Sequence, residues 1–144
     1  MLPSPPRSVM LHPMTIVVGY VPTPEGEAAL DAAVAEARLR DQPLHIINSS
    51  RGDAYTDARF ASEEALAQVR ERLDEAGVVY EIAQEVRGHE AAEEVVEAAD
   101  RVQASLIVIG MRRRTPTGKL LTGSQAQRIL LDAHCPVLAV KASY

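Results

Sequence analysis

The sequence predicts an open, doubly wound α/β protein: a five-stranded parallel sheet in the order 3-2-1-4-5 with helices on both faces, a Rossmann-like arrangement. Three observations predict it. Short β-branched runs alternate with helix-length amphipathic stretches, giving β-α-β-α-β-α-β-α-β. Right-handed crossovers restrict such a chain to two common strand orders. Finally, the polar, glycine-containing and basic material follows the first and fourth strands and not the third. That puts the switch point between those two strands and selects 3-2-1-4-5 over 2-1-3-4-5.

The elements follow in order. Thr15 to Tyr20 (TIVVGY) fits a strand buried on both faces. In the turn VPTP, Thr23 suits an N-cap and Pro24 the first helical position. The first helix runs to about Arg40, with Ala29, Leu30, Ala33, Val34 and Ala37 at helical spacing. After Gln42-Pro43, Leu44 to Asn48 is the second strand, and the polar SSRGDAY (49–55) is a loop. A second helix is predicted over 57–76, burying Phe60, Leu66, Val69 and Leu73 and ending at Gly77. Val78 to Val86 carries the charges of an edge strand. The third helix covers about 90–101, with Val95, Val96, Ala99 and Val102 inward. Ser105 to Ile109 is the fourth strand. The fourth helix covers 124–133, with Ala126, Ile129, Leu130 and Ala133 inward, and Pro136 to Lys141 is the last strand.

The chain has 144 residues, enough for one domain. Folding at this size removes roughly 68–70% of the unfolded chain's surface, so no disulfide or metal staple is needed. No run of ~18 apolar residues suggests a membrane span. The net charge of −5 argues against general nucleic-acid binding, which favours basic domains. A single cysteine, Cys135, rules out an intrachain disulfide. Residues 1–13 lack a continuous apolar region and a small-residue cleavage site, and are read as a disordered tail before a domain at 14–144. A cytoplasmic location is expected.

The segment from Ala104 to Tyr144 is the functional centre of this reading. It places a basic, Gly-containing loop between a strand and a helix, where α/β proteins hold anions. Gly110 stands at the strand's end, either as a turn glycine or as a point where a ligand passes close to the backbone. Gly123-Ser124 opens the helix, either as a plain N-cap or as a phosphate cradle. Between them lie Arg112, Arg113, Arg114 and Lys119, a solvated loop or the partner of an anion. Gly118-Lys119 is not a P-loop, because Leu120 replaces the required hydroxyl and the glycine spacing is absent. His12, His45, His89 and His134 show no zinc-ligand spacing, and no nucleophile or carboxylate pair has local support. Catalysis is not demanded by the sequence.

These residues resemble the signature of the universal stress protein family, whose nucleotide-binding members carry G-x-x-G, nine residues, then G-[S/T]. Gly110 and Gly123-Ser124 fall at that spacing, and ILLDAHCPVLAVK, GHEAAEEVVEAAD and LHIIN resemble other stretches of the family across 15–143. The resemblance implies ATP or a related adenine nucleotide, with Mg²⁺ as a possible companion. The nucleoside would lie near Gly19, Val21 and Ile46, with Met111 and Arg112 beside the ribose. Gly123, Ser124 and Gln125 would hold the phosphates, with Arg113 nearby. It also implies a homodimer through the last strand, at Val137, Leu138, Ala139 and Val140. Two residues depart from the pattern: Arg113 replaces the second glycine, and Val21 stands where an Asp often contacts the nucleoside. The resemblance therefore implies a nucleotide-binding regulator or sensor that is not a turnover enzyme. An interaction module without nucleotide and a slow ATPase remain as alternatives. No nucleic-acid or membrane partner is expected.

Overall fold

A computed structural model of the chain describes residues 14–50, 61–86, 90–111 and 124–142. Strands β1 (Ile16–Gly19), β2 (Leu44–Ser50), β3 (Tyr80–Val86), β4 (Leu106–Met111) and β5 (Val137–Lys141) alternate with helices α1 (Pro24–Arg40), α2 (Glu63–Ala76), α3 (Ala91–Arg101) and α4 (Ser124–Asp132). The strands pair in parallel as β3-β2-β1-β4-β5, the predicted order.

Side chains alternate across a strand, so each strand feeds two cores. Ile16 and Val18 of β1, with Leu44 and Ile46 of β2 and Leu106 and Val108 of β4, pack against Leu30 and Ala33 of α1 and Val69 and Leu73 of α2. Val17, Ile47, Ile107 and Ile109 point the other way, against Val95 and Ala98 of α3 and Ala126 and Ile129 of α4. A sheet covered on both faces explains why β1 and β4 read as unbroken apolar runs.

Thr23 caps α1 as expected, its Oγ1 accepting from the Gly26 N–H at 3.1 Å, with Pro24 at the first position. Gly77 ends α2 in the left-handed conformation, φ 72°. Other expectations are corrected. The helix predicted from Asp57 begins at Glu63, because extended Ser62 caps it and accepts from the Ala65 N–H at 3.1 Å. Asp57 and Phe60 themselves lie outside the described residues. Strand β3 begins at Tyr80 and not Val78; Val79 is exposed. In α4, Leu130 is 45% exposed where an inward position was expected. Ala126 and Ile129 face the core there, and Leu130 falls at the stripe's edge. Val96 and Val102 are only half-buried.

A polar tether joins α1 to α2. The buried Tyr20 hydroxyl donates to Glu27 Oε1 at 2.6 Å, and Arg72 of α2 pairs with Glu27 and, at 2.6 Å, with Asp31. Burial first, then the bond to Glu27, pushes the Tyr20 hydroxyl well above the usual phenol range. The unfolded tyrosine loses its proton near pH ~10, whereas the folded one still holds it. The stability Tyr20 contributes is therefore full below pH ~10 and declines as pH rises above it. Unfolding midpoints measured at about pH 9 and pH 11 should show this loss, and Tyr20→Phe should reduce it.

Candidate functional site

At the carboxyl ends of β1 and β4 lies a cavity of about 110 Å³. Its walls come from the end of β1 (Gly19, Tyr20, Val21), from β2 (Ile47), from β4 (Ile109, Gly110) and from three helix starts. Those starts are Glu25 and Gly26 of α1, Ala91 of α3, and Gln125 and Ala126 of α4. A helix N-terminus presents unpaired N–H groups and about half a positive charge. Three of them converge here, at the switch point where such sheets take ligands.

The three starts are not equivalent. The first turn of α1 carries Glu25 and Glu27, and that of α3 carries Glu93 and Glu94, so each dipole already has an acidic neighbour. The first turn of α4 carries no acidic residue. An anion at this end of the sheet is therefore best received by α4. Its first residue is Ser124, part of the sequence motif.

A larger groove of about 840 Å³ opens at the opposite end of the sheet. It is ringed by the last turns of α1, α2 and α3, whose C-termini carry the negative ends of the helix dipoles. Arg38, Arg40 and Arg101 on its rim lie in the last turns of α1 and α3, where they offset those dipoles. Its size does not make it the anion site.

The predicted site residues divide as follows. Gly19, Val21, Gly110 and Gln125 all line the cavity. Ile46 does not. It is fully buried in the α1–α2 core, and its neighbour Ile47, on the opposite face of β2, reaches the cavity. Met111 belongs to β4 and is half-buried against the α3–α4 core, although the strand was expected to stop at Ile109. Arg112, Arg113 and Gly123 lie outside the described residues.

Gly110 is a strand residue, and what passes close to it is protein. A Cβ there would lie 2.1 Å from the Glu25 carbonyl oxygen, so the first turn of α1 rests on the backbone of β4. Gly26 is tighter still: a Cβ would lie 1.8 Å from the Val21 carbonyl oxygen. This glycine packs the β1–α1 turn onto its own helix, and the sequence reading missed it. Gly19 has no such constraint; its nearest neighbour would be Val95 Cγ2 at 3.4 Å.

Gln125 has a structural partner. Glu90, the N-cap of α3, makes no side-chain capping bond, and Gln125 Oε1 accepts from the Ala92 N–H at 2.9 Å in its place. Gln125 Nε2 lies 3.4 Å from Glu90 Oε2. The residue expected at the phosphates thus fastens α4 to α3.

Asn48 is the second residue the sequence reading missed. Fully buried at the carboxyl half of β2, it donates to the Tyr20 carbonyl at 2.9 Å. Its Oδ1 accepts from the Ala61 N–H at 2.9 Å and from Gln84 Nε2 at 3.0 Å. One side chain therefore fixes the end of β1, the approach to α2, and β3. A polar residue ending an apolar strand was the available signal.

Among the described residues no group of three or more His, Cys, Asp or Glu side chains could hold a metal ion. No helix of the described residues is long and apolar enough to cross a membrane. Burial, with Asp100 nearby, pushes the Cys135 thiol up, away from nucleophilic behaviour.

A parallel sheet with its switch point between β1 and β4, and helix N-termini gathered over it, places the chain among the open, doubly wound α/β proteins, a class whose ligand sites lie outside the carboxyl ends of the strands. The model of the universal stress protein family matches residues 13–141, and the chain belongs to that family. It is 51% identical over 126 residues to a universal stress protein of Mycolicibacterium smegmatis, covering 88% of this chain and 96% of the relative. A universal stress protein structure from Archaeoglobus fulgidus superposes with a TM-score of 0.76 at 37% identity, covering 89% of this chain and 98% of that one. Another from the same organism, in complex with dAMP, gives 0.67 at 29% identity over 89% and 98% of the two chains.

Proposed function

We propose that the chain binds an adenine nucleotide, ATP or a close relative, above the cavity between β1 and β4, and acts as a cytoplasmic regulator or sensor without turnover. The observation that carries this reading is the convergence of three helix N-termini on one end of the sheet, with the first turn of α4 alone free of carboxylates. The dAMP complex of a relative of the same fold supports it. The cavity of about 110 Å³ is too small for a nucleoside and forms the floor of the site. Gly19, Val21, Ile47 and Gly110 would meet the nucleoside from below. The start of α4, with Gly123 and Ser124, would meet the phosphates, and Arg112 and Arg113 would add charge.

The same reading includes a homodimer through β5. Among the described residues β5 pairs only with β4, and Leu138 is 37% exposed, so an edge with apolar character is available along Val137, Leu138, Ala139 and Val140. A second reading, an interaction module that takes no nucleotide, is favoured by Val21, an apolar wall where the family often has an Asp.

Calorimetric titration with ATP, with and without Mg²⁺, separates the two once bound nucleotide has been stripped and checked. Nucleotide binding predicts a Kd of about micromolar order. Silence from protein verified to be empty would overturn it in favour of the interaction module.

A further inference from the structure

The acidic first turn of α3 lies directly against the start of α4. The Ala92 N–H donates to Gln125, and Glu90 Oε2 is 3.4 Å from Gln125 Nε2. A phosphate received by α4 would thus sit beside carboxylates of α3. Arg128, one turn into α4, answers them: its guanidinium pairs with Glu90 and, at 3.4 Å, with Glu93. All three side chains are about half-exposed. Such partly exposed pairs contribute little to folding stability. Their effect on a polyanion at the start of α4 is larger, because an unanswered carboxylate acts on every phosphate charge within a Debye length of ~10 Å.

We propose that Arg128 is a positioning residue for phosphate recognition: by pairing with Glu90 and Glu93 it offsets part of the negative charge that the start of α3 places beside the anion-accepting end of α4. This rests on the nucleotide reading. Arg128 does not touch the ligand in this account. It acts through the two glutamates, and its role is the charge it removes and not the fastening of the helices, which Gln125 performs separately.

The test is calorimetric titration of ATP into the full chain at about 0.1 M and about 1 M salt. The proteins compared are the parent chain, Arg128→Gln, Glu90→Gln/Glu93→Gln, and the triple variant. Arg128→Gln should bind about fivefold more weakly at low salt, and the difference should shrink at high salt. The triple variant, which lacks the helix–helix pairs as well, should return to within about twofold of the parent chain, because the repelling carboxylates are gone. A triple variant as weak as Arg128→Gln would overturn the proposal, since lost helix contact would then be the cause. So would Arg128→Gln binding as tightly as the parent. Should Arg128→Gln fail to fold, the glutamate double variant keeps the test: it removes both α3 partners of Arg128, leaving Asp132 of its own helix nearby, and should bind about two- to fivefold tighter, and unchanged or weaker binding would overturn the proposal. A parent chain that binds no ATP overturns the nucleotide reading and this inference together; a parent that binds, with variants that do not differ, overturns this inference alone.

Discussion

Gly26→Ala is expected to destabilise the protein by about 3 kcal/mol or more, against what helix propensity alone would say. Alanine is the better helix former by about 1 kcal/mol, so a third-position glycine in α1 invites replacement. The backbone forbids it. The new Cβ would lie 1.8 Å from the Val21 carbonyl oxygen and 2.8 Å from its carbon, and neither is a flexible tip that can swing aside. The turn between β1 and α1 would have to move, and with it the Thr23 cap and the wall that Val21 gives the cavity. Against a total stability of roughly 5–15 kcal/mol this is a severe loss, about 10 °C in Tm. Urea and thermal unfolding of Gly26→Ala beside Gly19→Ala would check it. The second substitution meets only side-chain tips, Val95 Cγ2 at 3.4 Å and Ile109 Cγ2 at 4.0 Å, and should stay near the parent chain. Equal behaviour of the two would refute the packing argument.

Asn48→Ala should cost about 4 kcal/mol. It strips a partner from the Tyr20 carbonyl and from the Ala61 N–H, both buried groups, and each costs roughly 1–3 kcal/mol when left unmet. Gln84 Nε2 keeps the Ala61 carbonyl at 2.7 Å, so its loss is smaller. The space vacated adds a cavity term. Hydrogen exchange gives a readout beyond the unfolding midpoint. The Ala61 amide should lose protection out of proportion to amides in β4, because its acceptor is gone while β4 keeps its ladder. Uniform loss across the sheet would argue that Asn48 does not act locally.

The strand order was legible in the sequence because it rests on which loops carry polar chemistry, a property of the chain read in order. The Thr23–Pro24 start and the Gly77 stop were legible because caps are local. What escaped depends on distance. The start of α2 is the local exception: helical spacing predicts a start at Asp57, while the Ser62 cap is the stronger signal. The resemblance implies Ile46 at the nucleoside, and an unbroken apolar strand does not announce which of two neighbours faces which helix layer. Gly26 serves a contact across a turn that no window of sequence shows, and Asn48 serves contacts between strands of which the sequence gives only a polar residue late in an apolar run. Gln125 was expected at a ligand because of its place after the motif; only the packing of α4 on α3 reveals the Ala92 N–H as its partner.

The rest of the Glu25 carbonyl on the bare backbone of Gly110 bears on how this protein can be recombined with its relatives. A chimera that imports a foreign strand β4 with any side chain at position 110 collides with the native start of α1, however well the imported loop suits its own ligand. Grafts should therefore succeed when they retain the glycine or exchange both segments as a unit. Loop swaps that begin after Met111 leave the joint untouched and are the natural way to vary what this end of the sheet recognises.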